Sequence, residues 1–106
     1  VDVRVQFDGA IESLDHRIVE HLAPVLTEAL SNVAKHASAQ HARVSITVAE
    51  DVAVVVTDDG VGASGHVSGG AGLLNLAARA EGLGGTSSLR PGPSGGSRLE
   101  WRVPRS

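Results

Sequence analysis

Residues 43–58 read RVSITVAEDVAVVVTD. Apolar side chains alternate with polar or small ones on both sides of Glu50-Asp51, which is typical of two half-buried strands. Strands joined by so short a polar connection form an antiparallel hairpin. One face of this hairpin is predicted to be apolar, and it consists of Val44, Ile46, Val48, Val52, Val54 and Val56.

Three further segments have strand patterns. In the first residues of the chain, Val1, Val3, Val5 and Phe7 alternate with polar side chains, which predicts a half-buried strand. The tail predicts two short strands, at about 86–90 and 97–103, joined by a segment rich in Pro and Gly. The second of them points three apolar side chains one way, namely Leu99, Trp101 and Val103.

Helical spacing of apolar residues runs from about residue 15 to residue 37, and Asp15 is a suitable N-cap. Pro24 interrupts this stretch. Because a proline inside a helix costs about 3 kcal/mol, we expect a short first helix and then a main helix over 24–37 with Pro24 in its first turn. The apolar residues expected to bury this main helix against the sheet are Leu26, Leu30, Val33 and Ala37.

A glycine-rich segment, 59–72, predicts a loop because its small and polar residues bury too little surface to form a helix or strand. Helical spacing returns over about 72–82, where the apolar residues are Leu73, Leu76, Ala77, Ala80 and Leu83. Gly82, Gly84 and Gly85 supply the stop.

The order of elements is strand, helix, two strands, helix, two strands. It predicts an α/β (α+β) two-layer sandwich in which helices cover one face of a mostly antiparallel mixed sheet. A chain of 106 residues has room for one such core, so we expect a single domain over 1–106. Since the sequence opens in a strand pattern without an initiator Met, we interpret it as a fragment of a longer protein.

The composition argues against several classes of protein. A net charge of −3 and a pI near 5.9 argue against nucleic-acid binding, which usually needs a basic patch. The longest apolar run covers only residues 52–56, so we expect no membrane contact by this chain. The absence of cysteine agrees with a cytoplasmic location.

In the predicted main helix, Glu28, Asn32 and Lys35 share one face because they lie at i, i+4 and i+7. They provide a carboxylate, a neutral oxygen ligand suited to Mg²⁺ and a cation suited to a phosphate. The spacing alone also fits an ordinary solvated helix face.

Two further segments could bind parts of a nucleotide. Asp58 ends a strand and could accept a hydrogen bond from an exocyclic amine, while Gly60 and Gly62 would let the backbone approach a flat ring. Gly70 and Gly72 open the second predicted helix, whose free N–H groups favour a phosphate. Each segment by itself also fits a plain turn or helix start.

Together and in this order, the three segments resemble the N-box, G1-box and G2-box of the GHKL ATPase superfamily. They read Glu28-Ala29-Leu30-Ser31-Asn32 with Lys35-His36, then Asp58-Asp59-Gly60-Val61-Gly62, then Gly70-Ala71-Gly72-Leu73. The sequence is most similar to nitrate-sensor-like histidine kinases and, among these, to actinobacterial haem-based hypoxia-sensor kinases. The resemblance covers nearly the whole chain and implies a Bergerat-type ATP-binding fold.

The resemblance also implies roles for individual residues. Asn32 would coordinate Mg²⁺, and Glu28 would be the catalytic carboxylate, either as a general base or as a residue that orients the metal shell. Asp58 would recognise the adenine amine. The remaining nucleotide contacts implied are Lys35 and His36 with phosphates, Gly60 and Gly62 along the ring, Gly70, Gly72 and Leu73 at the phosphate end, and Ser97, where relatives often have Thr.

A histidine kinase domain of this kind binds ATP with Mg²⁺ and donates the γ-phosphate to a histidine on an adjoining dimerisation domain of the same protein. Such kinases are homodimers that signal to a response regulator. No histidine of this chain resembles the phosphoacceptor: His36 belongs to the N-box, and the others are interpreted as surface or supporting residues, namely His16, His21, His41 and His66.

The sequence departs from many relatives in its lid, since only residues 63–69 separate Gly62 from Gly70 and none is Phe. We therefore expect weak nucleotide binding by the isolated domain and no activity of the fragment alone. Two alternatives stay open. One is another enzyme of the superfamily, such as an ATP-hydrolysing clamp or an anti-sigma-factor serine kinase; the other is a non-catalytic interaction domain that has lost ATP binding.

Overall fold

A computed structural model describes residues 2–9, 14–32, 41–59, 70–91 and 96–105. The elements follow in the predicted order: β1 (Asp2–Asp8), α1 (His16–Asn32), β2 (His41–Val48), β3 (Asp51–Asp58), α2 (Gly70–Gly82), β4 (Thr86–Pro91) and β5 (Ser97–Pro104). The hairpin of β2 and β3 is confirmed. Its connection is Ala49-Glu50 rather than Glu50-Asp51, with the amide N–H of Ala49 donating to the carbonyl of Asp51.

The five strands form one sheet in the order β1-β2-β3-β5-β4. β1 pairs with β2 in parallel, and the other pairs are antiparallel. This is the mostly antiparallel mixed sheet expected from the sequence, with helices on one face, so the predicted fold class is confirmed.

The core lies between the sheet and the helices. Trp101 in β5 is fully buried, and its indole Nε1–H donates to the carbonyl of Leu76 in α2 over 3.1 Å. This bond satisfies the polar atom of the largest core side chain and fixes α2 over β5. The predicted hairpin face is buried except for Val48, which is half-buried; its fully buried members are Val44, Ile46, Val52, Val54 and Val56.

The prediction of two helices around Pro24 is wrong, because α1 is one helix with Pro24 inside it. It begins as expected: Asp15 caps it, with Oδ1 accepting the N–H of Arg17 over 2.9 Å. Apolar side chains before and after the proline enter the same core, and their burial outweighs the cost of about 3 kcal/mol. The predicted end at residue 37 lies outside the described residues.

The buried stripe of α1 is also shifted by one residue from the prediction. It consists of Ile18, Leu22, Val25 and Ala29, whereas Leu26 and Leu30 are only partly buried beside it. The helix therefore turns its N-box face closer to the core than the sequence pattern indicated. The other two predicted core positions, Val33 and Ala37, are outside the described part of the chain.

α2 is confirmed and begins two residues earlier than expected, at Gly70. It ends in a Schellman motif, in which the N–H of Gly85 donates to the carbonyl of Ala80 and the N–H of Gly84 to that of Glu81. Gly84 has a φ of +81°, a left-handed conformation that glycine adopts without steric cost. The predicted stop is thus confirmed.

The prediction of a half-buried first strand is wrong for its side chains. β1 forms, but Val3, Val5 and Phe7 are exposed, Phe7 by 57%. They oppose Ala42, Val44 and Ile46 of β2 and so lie on the helix-covered face. β1 is an edge strand, however, and α1 packs over β3, nearer the centre of the sheet. Among the described residues, no helix is long and apolar enough to cross a membrane.

Candidate nucleotide site

The topology brings three elements to one end of the sandwich, which we call the site end and define by Asp58, where β3 finishes. α2 runs away from this end, because its last residue precedes β4, whose Thr86 pairs with Arg102 at the other end of the sheet. In the helix layer, Arg79 of α2 donates to Nδ1 of His21 in α1 over 3.1 Å. α1 leads from β1, which ends beside Thr47, to β2, which begins at His41 at the site end. The last turns of α1 and the first turn of α2 therefore lie toward the site end.

Asp58 is half-buried and faces the helix layer. It pairs with Ala42 on one side and Ser97 on the other, and all three belong to the same face as the core residues of their strands. The hydroxyl of Ser97 donates to Oδ2 of Asp58. The structure thus brings together two of the residues singled out for the nucleotide, and the Ser97 hydroxyl restrains the rotamer of the carboxylate.

Gly96 packs against the backbone of Asp58. A Cβ added to this buried glycine would lie 1.8 Å from the carbonyl oxygen of Asp58 and 3.1 Å from Cα of Asp59. Real Cβ atoms do not approach so closely, so any other residue here would displace the end of β3. The glycine therefore allows β5 to lie against the Asp58 backbone.

Glu28 occupies the penultimate turn of α1 and is half-buried. Its carboxylate has no hydrogen-bond or ion-pair partner among the described residues. Asn32 is the last residue of α1, four residues after Glu28. Carboxylate and amide groups are residue types that bind Mg²⁺, and the metal implied by the resemblance stays a prediction.

The first turn of α2 contains Gly70, Gly72 and Leu73. The first N–H groups of a helix have no partner within the helix and attract anions. These three residues therefore have the backbone setting expected for phosphate contacts. Four predicted site residues lie outside the described residues, namely Lys35, His36, Gly60 and Gly62, and so does the short lid, 63–69.

Sequence reasoning assigned no role at this end to His41 and Asp59. Asp59 follows Asp58 but faces the opposite side of the sheet, where its Oδ2 lies 2.8 Å from Nδ1 of His41. The signal available in the sequence was weak: an acid next to Asp58 and a histidine eighteen residues earlier that only the strand register brings together. The other described histidines bond within the helix layer, His16 to Glu20 and His21 to Arg79.

A charge network runs along β5 from Arg98, next to Ser97, to the opposite end of the sheet, which we call the far end and define by Asp51 and Arg102. Arg102 Nη1 lies 3.5 Å from Asp51 Oδ2, and Arg102 Nε donates to Glu100 Oε2 over 3.0 Å. Arg98 donates to the other Glu100 oxygen over 2.9 Å. The Arg102 hydrogen bond, reinforced by Arg98 and opposed by burial, lowers the pKa of Glu100, and Glu100 in turn raises that of Arg102.

The family model of the histidine kinase-, DNA gyrase B- and HSP90-like ATPases matches residues 18–106. The chain belongs to this family. The sensor histidine kinase YxjM of Bacillus subtilis (strain 168) is 33% identical over 94 residues, and the nitrate/nitrite sensor protein NarQ of Escherichia coli (strain K12) is 37% identical over 91 residues. The matches cover 88% and 82% of this chain but only 23% and 16% of those proteins.

Solved structures agree. The ATP-binding domain of PrrB from Mycobacterium tuberculosis superposes with a TM-score of 0.67 at 28% identity, covering 82% of this chain and 68% of that one. The blue-light-activated histidine kinase EL346 of Erythrobacter litoralis gives a TM-score of 0.76 at 22% identity, over 99% of this chain and 35% of its own, and supports the fold alone. The chain is thus an ATP-binding domain of the histidine kinase type, as the boxes predicted.

Proposed function

We propose that this domain binds ATP with Mg²⁺ and donates the γ-phosphate to a histidine on a dimerisation domain of the same protein. The observation that carries the proposal is the setting of Asp58: a half-buried carboxylate that faces the helix layer and accepts from Ser97 at the end where α1 finishes and α2 begins. Family membership supplies the nucleotide class.

Asp58 would select adenine by accepting a hydrogen bond from its exocyclic amine. A carboxylate accepts and cannot donate when ionised, so it favours an amine over a carbonyl at that ring position. Ser97 donates to one carboxylate oxygen and thereby restrains the direction of the other. Gly60 and Gly62 would lie along the ring.

At the phosphate end, Asn32 would hold Mg²⁺, and the bound metal would neutralise charge on the phosphates. Lys35 and His36 would contact phosphate oxygens, together with backbone N–H groups from Gly70, Gly72 and Leu73. Glu28 would orient the ligands around Asn32, because its carboxylate has no other partner in the described part of the chain. In the transfer, the bond between the γ-phosphorus and its bridging oxygen breaks while a bond to the acceptor nitrogen forms, and positioning supplies most of the rate.

The proposal places this domain within a larger cytoplasmic protein. Because the chain spans 23% and 16% of the two sensor kinases it matches, the acceptor histidine, the homodimer contacts and the docking of a response regulator would belong to segments outside it. The isolated domain would therefore bind ATP weakly and transfer no phosphate.

Calorimetric titration of ATP with Mg²⁺ into the domain and into the longer kinase tests the proposal. We expect Asp58→Ala to abolish binding in both and Asp51→Ala, at the other end of the same strand, to leave it unchanged. Equal micromolar affinity in both proteins would contradict the expected weak binding of the isolated domain. No binding by either would favour a non-catalytic interaction domain, which the short lid sequence also fits.

A further inference from the structure

The contact between His41 and Asp59 has three parts. The backbone N–H of Asp59 donates to the carbonyl of His41 over 3.3 Å, and the backbone N–H of His41 donates to Asp59 Oδ1 over 2.9 Å. The imidazole Nδ1 lies 2.8 Å from Asp59 Oδ2. Both carboxylate oxygens are therefore directed at one residue.

This contact replaces part of a regular β-ladder. In an antiparallel hydrogen-bonded pair, the two residues exchange two backbone N–H to carbonyl bonds. Here one of the two is present, and the carboxylate of Asp59 accepts the other N–H in place of a backbone carbonyl. The side chain thus extends the β2–β3 pairing by one residue beyond Ala42 and Asp58.

Asp58 is the residue that this extension holds. It lies between the rest of β3 and the Asp59 contact, and its side chain points to the opposite face from that of Asp59. His41 is also the first residue of β2, so the same contact fixes the point at which the segment containing Lys35 and His36 joins the sheet. One contact therefore links the adenine end of the site to the chain that follows the N-box.

The side chains of His41 and Asp59 are 66% and 44% exposed, so solvent screens the attraction between them. Its removal should have little effect on the unfolding of the whole domain. The local effect is larger, because without the imidazole the rung beyond Asp58 keeps only its two backbone N–H bonds, at a strand end where fraying begins.

We propose that His41 is a positioning residue for nucleotide binding, which holds Asp58 in place through Asp59. The nucleotide-binding part of this inference rests on the proposed function, whereas its hydrogen-exchange part does not. From the sequence alone, His41 was interpreted only as a surface or supporting residue.

The test follows binding to the 106-residue chain by NMR titration with ATP and with inosine triphosphate, which has a carbonyl oxygen in place of the adenine amine. We expect His41→Ala to weaken ATP binding about tenfold, the effect of one lost hydrogen-bonded contact. Binding of inosine triphosphate should change little, because Asp58 does not select it, and the thermal midpoint should stay within a few degrees.

Two variants serve as controls. His41→Asn should restore ATP affinity to within about threefold, because its amide nitrogen stands at the same distance from Cβ as Nδ1 and can donate to Asp59. His16→Ala removes a comparable exposed pair with Glu20 on α1 and should change nothing. In a double-mutant cycle, the losses from His41→Ala and Asp59→Ala should be less than additive.

Amide hydrogen exchange without nucleotide separates this inference from the proposed function. Exchange at the N–H of Asp59 should accelerate in His41→Ala and recover in His41→Asn. Unchanged exchange overturns the inference, as does unchanged ATP affinity or an equal loss for both nucleotides. If neither the native chain nor the longer kinase binds ATP while the exchange result is as expected, the positioning of Asp58 stands and the proposed function fails.

Discussion

The two ends of β3 carry similar side chains in different settings. At the far end, Asp51 contacts Arg102, the last member of a partly exposed charge network that runs back along β5 through Glu100 to Arg98. At the site end, Asp58 is half-buried, faces the helix layer and accepts from a neutral hydroxyl. Asp51 is thus paired with a cation, whereas Asp58 accepts a hydrogen bond from a neutral hydroxyl. Under the proposed function, the far end is structural and the site end binds the nucleotide.

The largest expected effect comes from backbone packing at the site end. Gly96→Ala would place a methyl group against the Asp58 carbonyl and should lower the free energy of unfolding by about 2–4 kcal/mol, with loss of nucleotide binding. Gly82→Ala is the matched control: its added Cβ meets nothing within 4 Å, and it should stabilise α2 by about 0.5–1 kcal/mol. Chemical denaturation measures the free energy of unfolding of both variants. An unchanged value for Gly96→Ala would contradict the close packing of β5 against Asp58.

A smaller effect is expected from the hydroxyl that orients Asp58. Ser97→Ala should weaken ATP binding about five- to tenfold, since it removes one hydrogen bond to a charged group, and Ser97→Thr should retain most of the affinity. Ser88→Ala, on the neighbouring edge strand, should be silent. Calorimetry measures the ATP affinity of the three variants. If Ser97→Ala and Ser88→Ala bind ATP equally well, Ser97 does not orient the carboxylate.

The smallest effect belongs to the charge network on β5 that reaches the far end. Glu100→Gln should lower the free energy of unfolding by about 0.5–1 kcal/mol, a small effect because the network is partly exposed. ATP binding should be unchanged. Since the arginines lower the pKa of Glu100 in the folded state, its contribution is present at neutral pH and above. It disappears as the pH falls through the lowered pKa. Denaturation curves from pH 7 to acid should therefore converge for the native chain and Glu100→Gln; curves that stay parallel would contradict this assignment.

Sequence patterns predicted the parts of the fold that depend on local periodicity. The β2–β3 hairpin, the face of Trp101 and the glycine stop after α2 follow from alternation and turn chemistry alone. The interior position of Pro24 could not be predicted, because the packing that tolerates it comes from the sheet. The exposure of Phe7 likewise depends on strand order, which puts β1 at an edge away from the helices.

The site divides in the same way. Asp58 was singled out by its place at a strand end and by resemblance, Ser97 by resemblance alone, and the β3–β5 register places them side by side. His41 and Asp59 have no local pattern, since their contact depends on strand register and on the opposite directions of adjacent side chains in a strand. Residues whose role depends on long-range pairing are those that sequence reasoning missed.

The most direct test of the central claim is a titration of the labelled domain with ATP and Mg²⁺, followed by backbone amide NMR. We predict saturable shifts at the site end, at Asp58, Asp59 and Ser97, with unchanged signals at Asp51 and Arg102. The same titration of Asp58→Ala should produce no shifts at either end. Shifts centred on the far end, or shifts at the site end that persist in Asp58→Ala, would contradict the assignment of Asp58 as the nucleotide-recognising carboxylate.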